Sequence, residues 1–197
     1  MVAHTLILAS ASPARLRLLR DAGIEPVVMV SGVDEDEVVL DDVSELVAEL
    51  ARRKASAVAA LVDAGLVLGA DSLFDLDGVA AGKPVDPADA VARLRSMRGR
   101  EGVLRTGHCL IDTGTGRRAE GVASTIVRFG QPSDAEIDAY VATGEPMHVA
   151  GGVTIDGRSA PFIDGVDGDH TNVIGLSLPL LRSLLAELDV EITSLWR

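Results

Sequence analysis

The sequence predicts an α/β fold built on an elongated mixed β-sheet flanked by helices, and three observations predict it. An apolar run at Thr5–Ala9 leads through a Ser-rich turn into a capped helix and then a second apolar run, the strand–helix–strand pattern of a parallel crossover. Two reversals, at Asp77-Gly78 and at Thr113-Gly114-Thr115-Gly116, each lie between strand-like runs and read as hairpins. Helices with recognisable caps are interleaved with these strands rather than set apart from them. No internal repeat, low-complexity tract or linker interrupts residues 1–197, so one domain is expected.

Each element has a local reason. Ser12 suits the N-cap and Pro13 the first position of a helix that places Leu16, Leu19 and Ala22 at helical spacing and stops at Gly23. Val27–Val30 reads as a strand, and the acidic stretch 34–42 as a loop. Ser44 is expected to open a long helix in which Leu46, Leu50, Lys54 and Val58 recur every four residues, which puts Lys54 on the apolar stripe. Leu66–Leu76 and Val79–Lys83 form the first hairpin; a regular two-residue turn there would set Lys83 opposite Ser72 and leave Asp71 on the other face, unless a bulge or a strand end near Ala80, Ala81 and Gly82 breaks the register. Asp86-Pro87 caps a helix carrying Val91, Leu94 and Met97 and ending at Gly99. Val103–Asp112 and Arg117–Phe129 are the long strands of the second hairpin, and Ser133 with Glu136 makes a capping box for a helix ending at Gly144. Short strands are expected around Asp156-Gly157, a polar loop over 164–172, a Leu-rich helix from Pro179 to about Leu188, and a last strand over 191–196.

Composition narrows the function. Net charge is −12 and only five residues are aromatic, which argues against a nucleic acid partner held by basic patches and stacked rings. No apolar run approaches the roughly 18–20 residues of a membrane span, and Thr5–Ala9 is too short for a signal peptide; a cytoplasmic protein without a membrane partner is expected. The single Cys109 can form no internal disulfide, and no Cys/His cluster has zinc spacing. Of eighteen basic residues only Lys54 and Lys83 are lysines, so each is either a chance remnant or a position where a compact ammonium is wanted, as beside a phosphate.

The chemistry-bearing residues gather early. A strand entering a Ser-rich turn and a helix N-terminus, with Arg15 in its first turn, forms an anion cradle. Asp34-Glu35 follows the second strand and Asp71 sits in a strand beside small residues, where carboxylates can hold a hard cation such as Mg2+ or Mn2+. The Gly-rich nucleotide signatures GxxxxGK[ST] and GxGxxG are absent. His108, His148 and His170 read as structural or surface residues and Phe162 as core.

The segments LILASASPARLRLL, VDEDE, ARRKASAVA, LGADSLFDLDGVAAGKP, YVATGEPMHVAG and GDHTNVIGLSL together make the chain resemble the Maf-like nucleoside triphosphate pyrophosphatases, once described as septum formation inhibitors. The resemblance implies a two-lobed Maf/ITPase-like architecture with a central cleft and a homodimer. It also implies metal-dependent hydrolysis of a nucleoside triphosphate, canonical or modified, to the monophosphate and pyrophosphate. Asp71 would then be the catalytic carboxylate, acting as general base, as metal ligand or as both, with Glu35 assisting at the metal and Lys83 also catalytic, and Ser10, Ser12, Arg15, Lys54 and Lys83 would bind phosphates. A nucleotide-binding regulator of cell division with incidental turnover is the alternative. Family members often carry SPRR where this chain has Ala14 at the first Arg. The DKAG-then-Gln pattern of uracil/thymine-selective members is replaced by His148-Val149-Ala150-Gly151 with Asp156, so no pyrimidine preference carries over.

Overall fold

The computed structural model describes residues 4–197. Its strands are β1 (Leu6–Leu8), β2 (Val27–Val28), β3 (Leu66–Leu76), β4 (Val79–Ala81), β5 (Glu101–Asp112), β6 (Arg118–Phe129) and β7 (Ile163–Asp167). The helices are α1 (Pro13–Asp21), α2 (Val43–Ala59), α3 (Pro87–Met97), α4 (Asp134–Ala142), α5 (His170–Ile174) and α6 (Leu178–Glu187). The strands make one seven-stranded mixed sheet in the order β2-β1-β3-β5-β6-β7, with β4 paired to the far end of β3. β1 runs parallel to both its neighbours, and the remaining pairs are antiparallel.

Strand alternation sorts side chains into layers. Leu6, Leu8, Leu66, Leu68, Ala70 and Leu110 face one side and pack with Leu18 and Leu19 of α1 and Leu181, Leu184 and Leu185 of α6. Ile7, Ala9, Val67 and Cys109 face the other side and meet Ala51, Ala55 and Val58 of α2. The two crossover helices thus lie on opposite faces, and the strand order reverses at β1, with β2 added on one side of it and β3 on the other. The carboxyl end of β1 is a topological switch point, where open α/β sheets bind their ligands. A separate core forms at the far end of the long strands, where Phe74, Leu104, Val127 and Phe129 pack with Ala90, Leu94 and Met97 of α3 and with Ile137, Tyr140 and Val141 of α4. β3 and β5 run through both cores, so the sheet joins two lobes and the cleft lies between them.

The expected caps at Ser12, Asp86 and Ser133 form, the last as a full capping box. Several expectations need correction. Asp42, not Ser44, caps α2, by accepting the N–H of Glu45. β2 covers only two residues, while β4 ends at Ala81 opposite Phe74, the strand end that the small residues there allowed, so Lys83 does not pair with Ser72. Around Asp156-Gly157 there are 3-10 turns at Ala150–Gly152 and Ala160–Phe162 instead of strands, and the Ser159 hydroxyl pins them by donating to Thr154 O and accepting from Thr154 N, both at 2.8 Å. The expected polar loop over 164–172 is β7 followed by α5, because β6 offers a ladder and pairs Val127 with Val166, while Asp169 caps α5. Residues 192–195 form a 3-10 turn, and only an isolated bridge joins Trp196 to Ile24.

Candidate functional site

β1 delivers the chain to the cleft at Ala9. The Ser10 hydroxyl accepts Ser12 N at 3.2 Å, and the Ser12 hydroxyl caps α1 by accepting Arg15 N at 3.4 Å. Arg15 is 8% exposed. Its Nε donates to Gly175 O at 2.8 Å, Nη1 to Ser10 Oγ at 3.0 Å and Ala70 O at 2.8 Å, and Nη2 to Ser72 Oγ at 2.9 Å. Protein acceptors take all but one of its N–H groups, which leaves one on the Nη2 side for the phosphate contact that the resemblance implies. Burial lowers its pKa while Asp71 and Glu35 raise it, and the guanidinium remains a cation that sets the potential of the floor.

The opposite side of the sheet supplies a different pair. Odd-numbered positions of β3 face α2, so Asp71 points toward that helix and Ser72 toward Arg15. A Cβ on Gly69 would lie 2.3 Å from Ala51 O, and one on Gly107, which pairs with Asp71 across β3 and β5, would lie 2.1 Å from Val47 O. Without side chains at these two positions α2 settles directly on the sheet, which brings Lys54 to Asp71. Lys54 Nζ lies 2.5 Å from Asp71 Oδ1 and 2.5 Å from Glu35 Oε1; Lys54 is 7% and Asp71 5% exposed. Glu35 reaches in from the loop after β2 and is more than half exposed. Burial raises the pKa of Asp71, while Lys54 and then Arg15 act to lower it. Asp71 Oδ2 takes no donor among the described residues.

These groups line one cavity of about 600 Å³. Ser10, Ser12, Arg15, Glu35, Lys54, Asp71 and Lys83 all border it. Lys83 enters from the segment after β4, exposed and without an ion pair among the described residues. The far lobe contributes His148, Val149, Ala150, Val153 and Thr154. The volume lies within the usual range of small-molecule sites. Sequence reasoning missed the supports of this arrangement. Ser72 ties Arg15 to Thr106, whose hydroxyl is 3.0 Å away, and Gly175 with φ 124° turns its carbonyl onto Arg15. Adjacency to Asp71 was the only available signal for Ser72.

His108 is structural: its Nδ1 faces Thr106 O at 3.0 Å and its Nε2 accepts Ser177 N at 2.9 Å, and burial holds its pKa down at about 4. Phe162 packs edge-on against Tyr140 at 5.8 Å, a core contact. Among the described residues no three His, Cys, Asp or Glu side chains group as a metal site. Asp71 and Glu35 nevertheless present two carboxylate oxygens to a single ammonium, a donor pair that suits a cation whose other ligands come from phosphates and water. The residues present fit such an ion.

Fold and site together define a two-lobed, mixed-sheet α/β protein whose cleft opens at a topological switch point and is lined by cations and carboxylates. Residues 5–188 match the family described as Maf-like protein, and the chain belongs to that family. It is 63% identical over 193 residues, covering 97% of this chain and 94% of the relative, to a protein of Streptomyces coelicolor named nucleoside triphosphate pyrophosphatase. A protein of Synechococcus elongatus with the same name is 50% identical over 198 residues, covering both chains in full. The Staphylococcus aureus Ham1 protein shares the fold with a TM-score of 0.52 at 12% identity, over 93% of this chain and 99% of that one. No helix among the described residues is long and apolar enough to cross a membrane.

Proposed function

We propose that this chain is a nucleoside triphosphate pyrophosphatase, which cleaves the bond between the α and β phosphates with water and releases a nucleoside monophosphate and pyrophosphate. The observation that carries this reading is the convergence of Asp71, Glu35, Lys54 and Lys83 on one cavity beside the Ser10–Ser12 turn. The names of its relatives supply the reaction class. In this reading Asp71 Oδ2, which takes no donor among the described residues, accepts the proton of the attacking water, Oδ1 being the oxygen that Lys54 holds before ligands bind. Ser10 and Ser12 offer hydroxyls and the N-terminus of α1 to the phosphate tail, with Lys83 at its open side. Arg15 supplies fixed positive charge beneath the tail and orients Ser10 and Ser72. Asp71 and Glu35 would hold a divalent cation, Mg2+ or Mn2+. That ion, when bound, neutralises phosphate charge and polarises water. A homodimer, canonical or modified nucleotides as substrates, and one domain spanning the chain belong to the same reading.

The test is pyrophosphate release from a panel of nucleoside triphosphates with Mg2+ or Mn2+. Asp71→Asn is expected to lower turnover at least about a hundredfold with the fold retained by circular dichroism. Binding without release from any nucleotide would overturn the hydrolase and favour a nucleotide sensor.

A further inference from the structure

The two carboxylates suited to a divalent cation are already joined by an ammonium. Lys54 Nζ sits at 2.5 Å from an oxygen of each, so it occupies the position between Asp71 and Glu35 rather than a phosphate subsite of its own. Its stem is buried on α2 beside Ala51, Ala55 and Val58, and its ammonium borders the cleft, where the two carboxylates are its ion-pair partners among the described residues. A divalent cation and this ammonium on the same two oxygens would repel each other strongly at such a distance. Lys83 offers the contrast: the same charge on the same cavity, exposed, and paired with no carboxylate among the described residues.

Building on the cavity as a triphosphate site, we propose that Lys54 is a resident counter-ion that competes with the divalent cation for Asp71 and Glu35 and turns to the phosphate tail when the two ligands arrive together. Its flexible, unbranched stem permits the swing, and the tail supplies the anion that the ammonium needs once it leaves the carboxylates. The consequence is coupling. The carboxylate pair takes a cation weakly when the cleft holds no triphosphate and tightly when it does, because only then has Lys54 another partner. The empty cleft is thereby kept neutralised without metal.

The test measures Mn2+ binding in the absence of nucleotide, from the electron paramagnetic resonance signal of free Mn2+, in the wild type, Lys54→Met and Lys83→Met. Lys54→Met is expected to bind Mn2+ at least tenfold more tightly than the wild type, and Lys83→Met no more than about threefold more tightly, since it removes equal charge from the cavity without vacating the carboxylates. Equal affinity in Lys54→Met and wild type, or equal tightening in both variants, overturns the proposal. Melting curves check the folding of each variant. A measurement on the wild type stands independently: with lysine labelled at 13Cε the chain gives two side-chain signals, one per lysine. The Lys54 signal should move when inorganic triphosphate is added with Mg2+ and stay in place with Mg2+ alone. A shift of the same size with Mg2+ alone contradicts the exchange. Tightening in Lys54→Met without nucleotide turnover in the wild type would remove the hydrolase reading and leave the competition standing. Turnover without tightening would do the reverse.

Discussion

Burial and charge pull on Asp71 in opposite directions, and burial is the larger effect, so its carboxyl titrates above the ordinary carboxylate range. A base must be deprotonated to act. The acid limb of kcat/KM is therefore expected at a pH above the ordinary Asp value of about 4, and a limb at or below that value would show that Lys54 and Arg15 outweigh desolvation. His108 makes a separate prediction about stability. Its folded pKa of about 4 lies below the unfolded value of about 6.5. The unfolded chain consequently binds more protons between these limits, and stability falls as pH drops through that window. The loss attributable to His108 is up to about 3 kcal/mol. Urea denaturation between pH 7 and pH 4 should show it, with a flatter profile in His108→Gln; identical slopes in the two proteins would clear His108 of the effect. At this scale the sequence was informative about residue type and silent about partnership. The scarcity of lysine singled out Lys54 and Lys83, yet nothing local indicated that Lys54 would bridge two carboxylates or that Arg15 would be held by Gly175, Ala70, Ser10 and Ser72.

Helix α2 carries the site through its distance from the sheet. Gly69 and Gly107 let its backbone touch β3 and β5, and Arg52 fastens its outer side through Glu120 of β6 at 3.0 Å. The nearest atoms that an added Cβ would strike are backbone atoms, all three of them at Gly107, and these cannot rotate away. Gly107→Ala should displace α2, cost about 1–3 kcal/mol of stability, and separate Lys54 from Asp71, lowering kcat by more than the stability loss explains at a temperature where the variant remains folded. Unchanged kcat in a folded Gly107→Ala variant would show that the helix-to-sheet distance does not position the pair. Elements with strong local signals were legible: the Ser12, Asp86 and Ser133 caps and both hairpin turns needed no tertiary information. β7 was not. Its IDGVD sequence has the composition of a loop, and only the free edge of β6 makes it a strand. The 3-10 turns near Asp156 are likewise held by the Ser159 hydroxyl, an interaction that period counting cannot register.

Across the whole molecule the charge of the chain opposes its proposed ligand. A protein at −12 repels a triphosphate at long range, whereas Arg15, Lys54 and Lys83 attract it only near the cavity. Attraction inside the cleft is little screened, because Arg15 and Lys54 are buried and water is largely excluded around them. Repulsion across the exposed acidic surface is screened as soon as the Debye length falls below the dimensions of the protein. It shrinks from about 30 Å at 0.01 M salt to about 10 Å at 0.1 M. The two contributions therefore separate with ionic strength. Salt should remove the long-range term first, so kcat/KM for a nucleoside triphosphate at fixed saturating Mg2+ should rise between about 0.01 M and about 0.1 M monovalent salt, contrary to the fall usual for a site lined by cations. Neutralising acidic residues far from the cleft should reproduce the rise without salt: Asp63→Asn together with Glu187→Gln, both on exposed surface, is expected to raise kcat/KM at low salt and flatten its salt dependence. A steep fall in kcat/KM over the same interval would mean that the local cations govern the encounter and that the acidic surface has no influence on substrate capture.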